Sequence, residues 1–210
     1  MEVQKKVIDK KLYNIELPDL RSDNKDHIYK KLSENLNGCV TLEEWNFLYN
    51  QTLLQKDHNY DILEIGSHTG VSTSALLLDV VEKKSKRKVV SVDNCSYEGV
   101  TRTKFKNNLN KFNLYSHVVE KNCNSLQYKH NNQFALIFID GDHSYDGVRL
   151  DLHYFKDSVK KEGVICGHDY KDRQVRIAVE EFFITHAWHD DLFGEIINVP
   201  DNMWAYMRLR

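Results

Sequence analysis

From residue 60 onward, short apolar runs alternate with stretches of helical period. The runs at 60–65, 88–92, 116–120, 134–139 and 163–167 predict β-strands. Between and after them, residues 70–83, 99–112, 145–158 and 172–186 predict helices. Phe105, Leu109 and Phe112 form one apolar stripe, and Val175, Ala178, Val179 and Phe182 form another. Strands that are apolar nearly throughout and separated by helices belong to a parallel sheet covered on both faces. The tail breaks this rhythm. Residues 195–199, a turn at Pro200-Asp201-Asn202 and residues 203–209 predict an antiparallel hairpin. Upstream, Thr41 and Glu44 have the spacing of a capping box, which would start a helix carrying Trp45, Leu48, Tyr49 and Leu53. Residues 1–38 are polar and charged and read as an irregular or helical arm, leaving 39–210 as the folded domain. The fold class is therefore α/β, doubly wound and mostly parallel, with a C-terminal antiparallel hairpin.

Composition adds boundaries. The chain has 210 residues, long enough for one domain with a full α/β core. A net charge of -2 offers no electrostatic grip on nucleic acid or an anionic membrane. The basic cluster at residues 83–88 lies between a helix and a strand, where a solvated loop is expected. No apolar stretch reaches transmembrane length, and the N-terminus has no apolar leader. Cys39, Cys95, Cys123 and Cys166 are widely spread, as expected of reduced thiols, and a cytoplasmic location follows from these features.

Candidate chemistry concentrates where strands end. Residues 61–70 read Asp-Ile-Leu-Glu-Ile-Gly-Ser-His-Thr-Gly, a strand running into a glycine-spaced turn that opens a helix. Gly66 and Gly70 let the backbone turn sharply and approach a ligand, with Ser67 and His68 inside the loop. The spacing is neither a dinucleotide fingerprint nor a P-loop. Glu64 would repel pyrophosphate and suit a ligand with a cationic centre. The next strand ends in Asp93, 23 residues beyond Gly70, where an acid can accept a ribose hydroxyl pair. Together these residues read as a nucleoside pocket without a pyrophosphate grip.

The most apolar strand, residues 134–139, ends in Asp140-Gly141-Asp142-His143-Ser144-Tyr145. The following strand ends in His168-Asp169-Tyr170. Asp140 and Asp169 would come from neighbouring strand ends, within reach of one cation. Carboxylates and water suit Mg²⁺, and a histidine ligand moves the preference towards Mn²⁺. The lesser alternatives are that Asp140 caps the following helix or contacts the cofactor, and that His143 is a packed histidine.

The turn at 64–70, the strand-end Asp93 and the Asp-Gly-Asp-His-Ser-Tyr segment resemble the class I S-adenosylmethionine-dependent methyltransferases, in the branch with sugar and natural-product O-methyltransferases. The resemblance implies a seven-stranded Rossmann-like sheet and methyl transfer to a small hydroxylated acceptor. It implies that Glu64, Gly66, Ser67, His68, Gly70, Asp93, Asn124, Ser125 and Asp140 surround the cofactor. Asn124 and Ser125 would flank the adenine. Asp140, His168 and Asp169 would hold the metal, and His143 would act as base beside Asp140. Position 168 departs from the carboxylate that some metal-dependent members carry. A metal-independent methyltransferase and a non-catalytic binding module of the same fold are the alternatives. An NAD-dependent oxidoreductase is opposed by the glycine spacing. Oligomeric state stays open, with packing of the arm on a second copy, a homo-oligomer, as one option.

Overall fold

The computed structural model describes residues 29–30, 40–55, 57, 59–99, 101–189, 192–195 and 199–209. The elements are α1 (Leu42–Leu54), β1 (Asp61–Ile65), α2 (Val71–Glu82), β2 (Val89–Val92), α3 (Arg102–Asn110), β3 (Val118–Lys121), β4 (Phe134–Ile139), α4 (Tyr145–Phe155), β5 (Val159–Gly167), α5 (Arg173–His189), β6 (Phe193–Glu195) and β7 (Trp204–Arg208). They build one seven-stranded sheet in the order β3-β2-β1-β4-β5-β7-β6. The first five strands run parallel, whereas β7 pairs antiparallel with β5 and with β6.

Alternation along each strand divides the core into two layers. Ile62, Leu136, Phe138 and Val164 face one side and pack with Trp45 and Leu48 of α1, Leu76 and Leu77 of α2, and Phe105 and Leu109 of α3. Leu63, Ile65, Ile137, Ile139 and Ile165 face the other and pack with Val148, Leu152 and Phe155 of α4 and Val179, Phe182 and Phe183 of α5. The capping box at the start of α1 is present, with Thr41 and Glu44 bonding reciprocally. The order reverses between β1 and β4, and this switch point opens a crevice at the carboxyl edge.

Several boundaries differ from expectation, each for a local reason. Strand β5 starts at Val159, not 163, because a register irregularity between Phe134 and Leu136 accommodates polar Lys160, Lys161 and Glu162. Helix α3 starts at Arg102, capped by the Thr101 hydroxyl. Helix α4 ends at Phe155 and tightens into a 3₁₀ turn, Lys156–Ser158. Another 3₁₀ turn, Tyr115–His117, takes the expected start of β3. The hairpin exists, but β6 lies at Phe193–Glu195, ahead of the expected 195–199, of which 196–198 are outside the described residues. Cys39 and the boundary of the arm are also outside them. Of the arm, Tyr29 donates its hydroxyl to the Val40 carbonyl at 3.0 Å and packs on Trp45. No helix among the described residues is long and apolar enough to cross a membrane.

Candidate functional site

Backbone hydrogen bonds continue the sheet past its strand ends and align the site. The Asp140 N–H donates to Ile65 at 2.8 Å, Gly66 to Val92 at 2.9 Å, Asp93 to Lys121 at 3.1 Å, and His168 to Ile139 at 3.2 Å. Gly66, Asp93, Asp140 and His168 therefore stand on one edge. Gly66 adopts φ +81°, and a Cβ there would collide with the Asp140 carbonyl. Only glycine permits both that conformation and that approach.

The loop after Gly66 is held by Asp93. Its Oδ2 accepts the N–H groups of Ser67 at 2.9 Å and His68 at 2.8 Å, and its Oδ1 accepts that of Cys95 at 2.6 Å. Asp93 thus shapes the cradle, and a carboxylate retains lone pairs for a ligand hydroxyl. Arg102 braces the same junction, donating to the Asp93 and Lys121 carbonyls at 2.9 Å each. Asn108 donates to the Thr69 carbonyl at 3.0 Å. Neither residue was legible beforehand, because α3 carries no motif and polar residues on a helix default to solvent.

Glu64 requires a correction. It is fully buried, and both oxygens are engaged by the hydroxyls of Ser72 at 2.7 Å and Thr73 at 2.6 Å. Burial pushes its carboxyl up to about 7, against the lowering effect of those two bonds. Its side chain fixes α2 onto β1 and does not line the cavity. Gly70 likewise acts from behind, as the left-handed N-cap of α2 with φ 97°.

The rim couples acids and imidazoles. His143 Nε2 lies 3.1 Å from Asp169 Oδ2 and 3.5 Å from Asp140 Oδ1. The hydrogen bond with Asp140 leads in holding its imidazole above the ordinary value, opposed by burial. His168 is sequestered: Nε2 faces Glu44 Oε1 at 3.2 Å, and Nδ1 lies 3.3 Å from Asp169 and 3.8 Å from Asp140. Burial opposes its charge, but Asp169, Glu44 and Asp140 together push the imidazole up to about 10. The same contact with His168 leads in lowering Asp169. His168 Nδ1 stands about as close to Asp169 and Asp140 as His143 Nε2 does, while its other nitrogen is taken by Glu44. Among the described residues, Asp140, His143 and Asp169 form a group whose ligand atoms all lie within 4.8 Å of one another.

A cavity of about 800 Å³ runs between these features. Gly66, Ser67, His68, Asp93, Asn124, Ser125, Asp140, His143 and Asp169 all line it, as do Tyr97 and Asp151, which the sequence reading did not single out. Tyr97 is 71% exposed and meets His68 edge-on at 5.3 Å between ring centroids. Six aspartates line the cavity, and no lysine or arginine does so among the described residues. Such a wall disfavours phosphate and favours a ligand carrying positive charge.

Residues 63–170 match a family described as a methyltransferase domain. An uncharacterised protein of Acanthamoeba polyphaga mimivirus is 25% identical over 154 residues, covering 68% of this chain and 66% of that protein. The matched region therefore spans just under two thirds of that relative. The O-methyltransferase from Bacillus cereus in complex with SAH (S-adenosylhomocysteine) has a TM-score of 0.66 at 17% identity, covering 92% of this chain and 94% of that one. A TDP-rhamnose 3′-O-methyltransferase of calicheamicin biosynthesis has a TM-score of 0.56 at 15% identity, covering 96% and 99%. These two likenesses establish a shared fold.

Proposed function

The chain belongs to the methyltransferase-domain family, and from that premise we propose that it transfers the methyl group of S-adenosylmethionine to a hydroxyl oxygen of a small acceptor. The observation that carries this reading is the acidic cavity at the switch point, walled by six aspartates without a basic side chain among the described residues. A sulfonium cofactor is cationic and carries no phosphate, so it matches that wall. The loop at 66–70, held by Asp93, receives the nucleoside part, and Asn124 and Ser125 flank the base.

The sulfonium makes the methyl group intrinsically reactive, so the protein's task is alignment and proton removal. His143 is half-exposed at the cavity rim and within 3.1 Å of Asp169. Its neutral form accepts the acceptor's hydroxyl proton. Because Asp140 raises its proton affinity, the basic form grows as pH climbs past the ordinary imidazole value, and the rate climbs with it.

The donor chemistry of Asp140, His143 and Asp169 fits a divalent cation, Mg²⁺ or Mn²⁺. When bound, such an ion would supply Lewis-acid lowering of a hydroxyl pKa. A metal-independent reading is favoured by His168, whose imidazolium already sets a positive charge 3.3 Å from Asp169 and 3.8 Å from Asp140. The likeness to a sugar O-methyltransferase supports a hydroxylated metabolite as acceptor.

Titration calorimetry tests the cofactor. S-adenosylmethionine should bind, and Asp93→Ala should weaken it at least tenfold by freeing the loop; absence of binding to the wild-type chain refutes the reading. Transfer assayed with and without EDTA separates the two mechanisms, since only the metal-assisted one loses turnover.

A further inference from the structure

Asp151 sits in the middle of α4, on the stripe formed by Val148, Leu152 and Phe155. It is only 4% exposed, yet it lines the cavity. One oxygen, Oδ1, accepts the Ser125 hydroxyl at 2.5 Å. The other, Oδ2, has no hydrogen-bond partner among the described residues. It lies 3.8 Å from the position a Cβ would take on Gly141, so it faces the gap between the loops after β3 and β4. Among the described residues, no lysine or arginine pairs with this carboxylate. Burial accordingly pushes its acid up to about 6, only partly offset by the Ser125 bond.

A buried carboxylate without a countercharge is costly unless hydrogen-bond donors reach it. The protein supplies one, from Ser125, and leaves the second oxygen open to the cavity. It borders Ser125 and Gly141, and the nearby Asp142 carboxylate adds to the rise of its acid. A ligand group placed there must donate. Among the parts of an adenosyl cofactor, the exocyclic amine of the base is a neutral N–H donor of this kind.

Resting on the reading of the cavity as an S-adenosylmethionine site, we propose that Asp151 is the residue that reads the base edge of the nucleoside, its open oxygen accepting the 6-amino group of adenine. A 6-oxo purine presents an acceptor at the same place, so at pH 8, well above the raised value of about 6, the ionised carboxylate and the carbonyl would meet without a proton between them. An unpaired buried acceptor is the kind of mismatch that gives strong discrimination.

The test is calorimetric titration of the full chain with S-adenosylhomocysteine and with its deaminated analogue, S-inosylhomocysteine. The wild-type chain should prefer the adenosyl compound at least thirtyfold. In Asp151→Asn the amide can rotate to accept from an amine or donate to a carbonyl, so the preference should fall below threefold. Equal wild-type affinity for the two compounds overturns the assignment alone, as does an undiminished preference in Asp151→Asn. Failure of the wild-type chain to bind either compound overturns the cofactor reading and this assignment with it. If Asp151→Asn does not fold, Asp151→Ser, smaller and still polar, should show the same fall in preference, and an undiminished preference there overturns the assignment.

Discussion

Replacing Glu44 by glutamine removes one charge, and the acceptor that faces His168, from the buried network behind the rim. Glutamine serves as well as glutamate at the third position of a capping box, so the bond from the Thr41 N–H, now 2.7 Å to Glu44 Oε2, survives. What disappears is the negative charge 3.2 Å from His168 Nε2, in a pair whose side chains are 6% and 2% exposed. Moving an imidazole from 6.5 to about 10 corresponds to roughly 5 kcal/mol of preference for the charged form. Three carboxylates share that effect, and a hydrogen bond to a charged group is worth about 1.5–3 kcal/mol net. Glu44→Gln should therefore cost about 2 kcal/mol, or roughly 4–8 °C in Tm for a chain of this size. The sign is fixed by the direction of the shift. A raised histidine contributes its full stability below the unfolded value near 6.5, and loses it as pH rises towards about 10. Thermal melts should show the wild-type advantage over Glu44→Gln at its full size at pH 6 and shrinking steadily by pH 10. In parallel, the NMR titration of the His168 ring should move to lower pH in the variant. A stability gap that stays constant from pH 6 to 10 would refute the idea that Glu44 acts by holding an imidazolium.

Two further outcomes follow from the site. Gly66→Ala places a side chain at φ +81° and drives it into the Asp140 carbonyl; the conformation alone costs about 1–2 kcal/mol. Tm should fall by several degrees and S-adenosylhomocysteine affinity by at least tenfold, and unchanged calorimetric binding would contradict the close approach of the two loops. His143→Ala should lower kcat by roughly 10²–10⁴ while cofactor affinity stays within twofold, and should flatten the rise of rate with pH above the ordinary imidazole range. Parallel loss of rate and cofactor affinity would make His143 structural.

The sheet was legible because β4, with Leu136, Ile137 and Phe138 all fully buried, has no solvent face to interrupt its apolar run. The same signal fails where a strand meets water. Lys160, Lys161 and Glu162 belong to β5 but alternate poorly because the strand bulges there. The three-residue β6, Phe-Gly-Glu, is too short and too glycine-rich to announce itself. The strand-end acids Asp93 and Asp140 were legible for a different reason: carboxylates that interrupt apolar runs at the carboxyl edge need a purpose other than packing. What pairs with what was not legible. The contact between Glu44 and His168 joins residues far apart in the chain through a fold that places α1 over the end of β5, and no local pattern encodes it.

Side-chain phase explains Glu64, whose reading changed, and Asp151, which carried none. Glu64 lies two residues after Ile62, and the pleat sends both to the side that α2 covers, whereas Leu63 and Ile65 face α4 and α5. A period-two reading of β1 alone therefore points Glu64 at the helix, where Ser72 and Thr73 meet it, and away from the cavity. Asp151 is the converse. It falls three residues after Val148 and one before Leu152, on the buried stripe of an otherwise polar helix. A carboxylate in that phase must find donors inside the protein. Ser125 supplies one, and the unpaired oxygen at the cavity wall is the place where a ligand supplies the other. Strand-end position identified the edge on which chemistry happens, but the phase of each acid relative to its own element decides whether it braces the scaffold or faces the ligand.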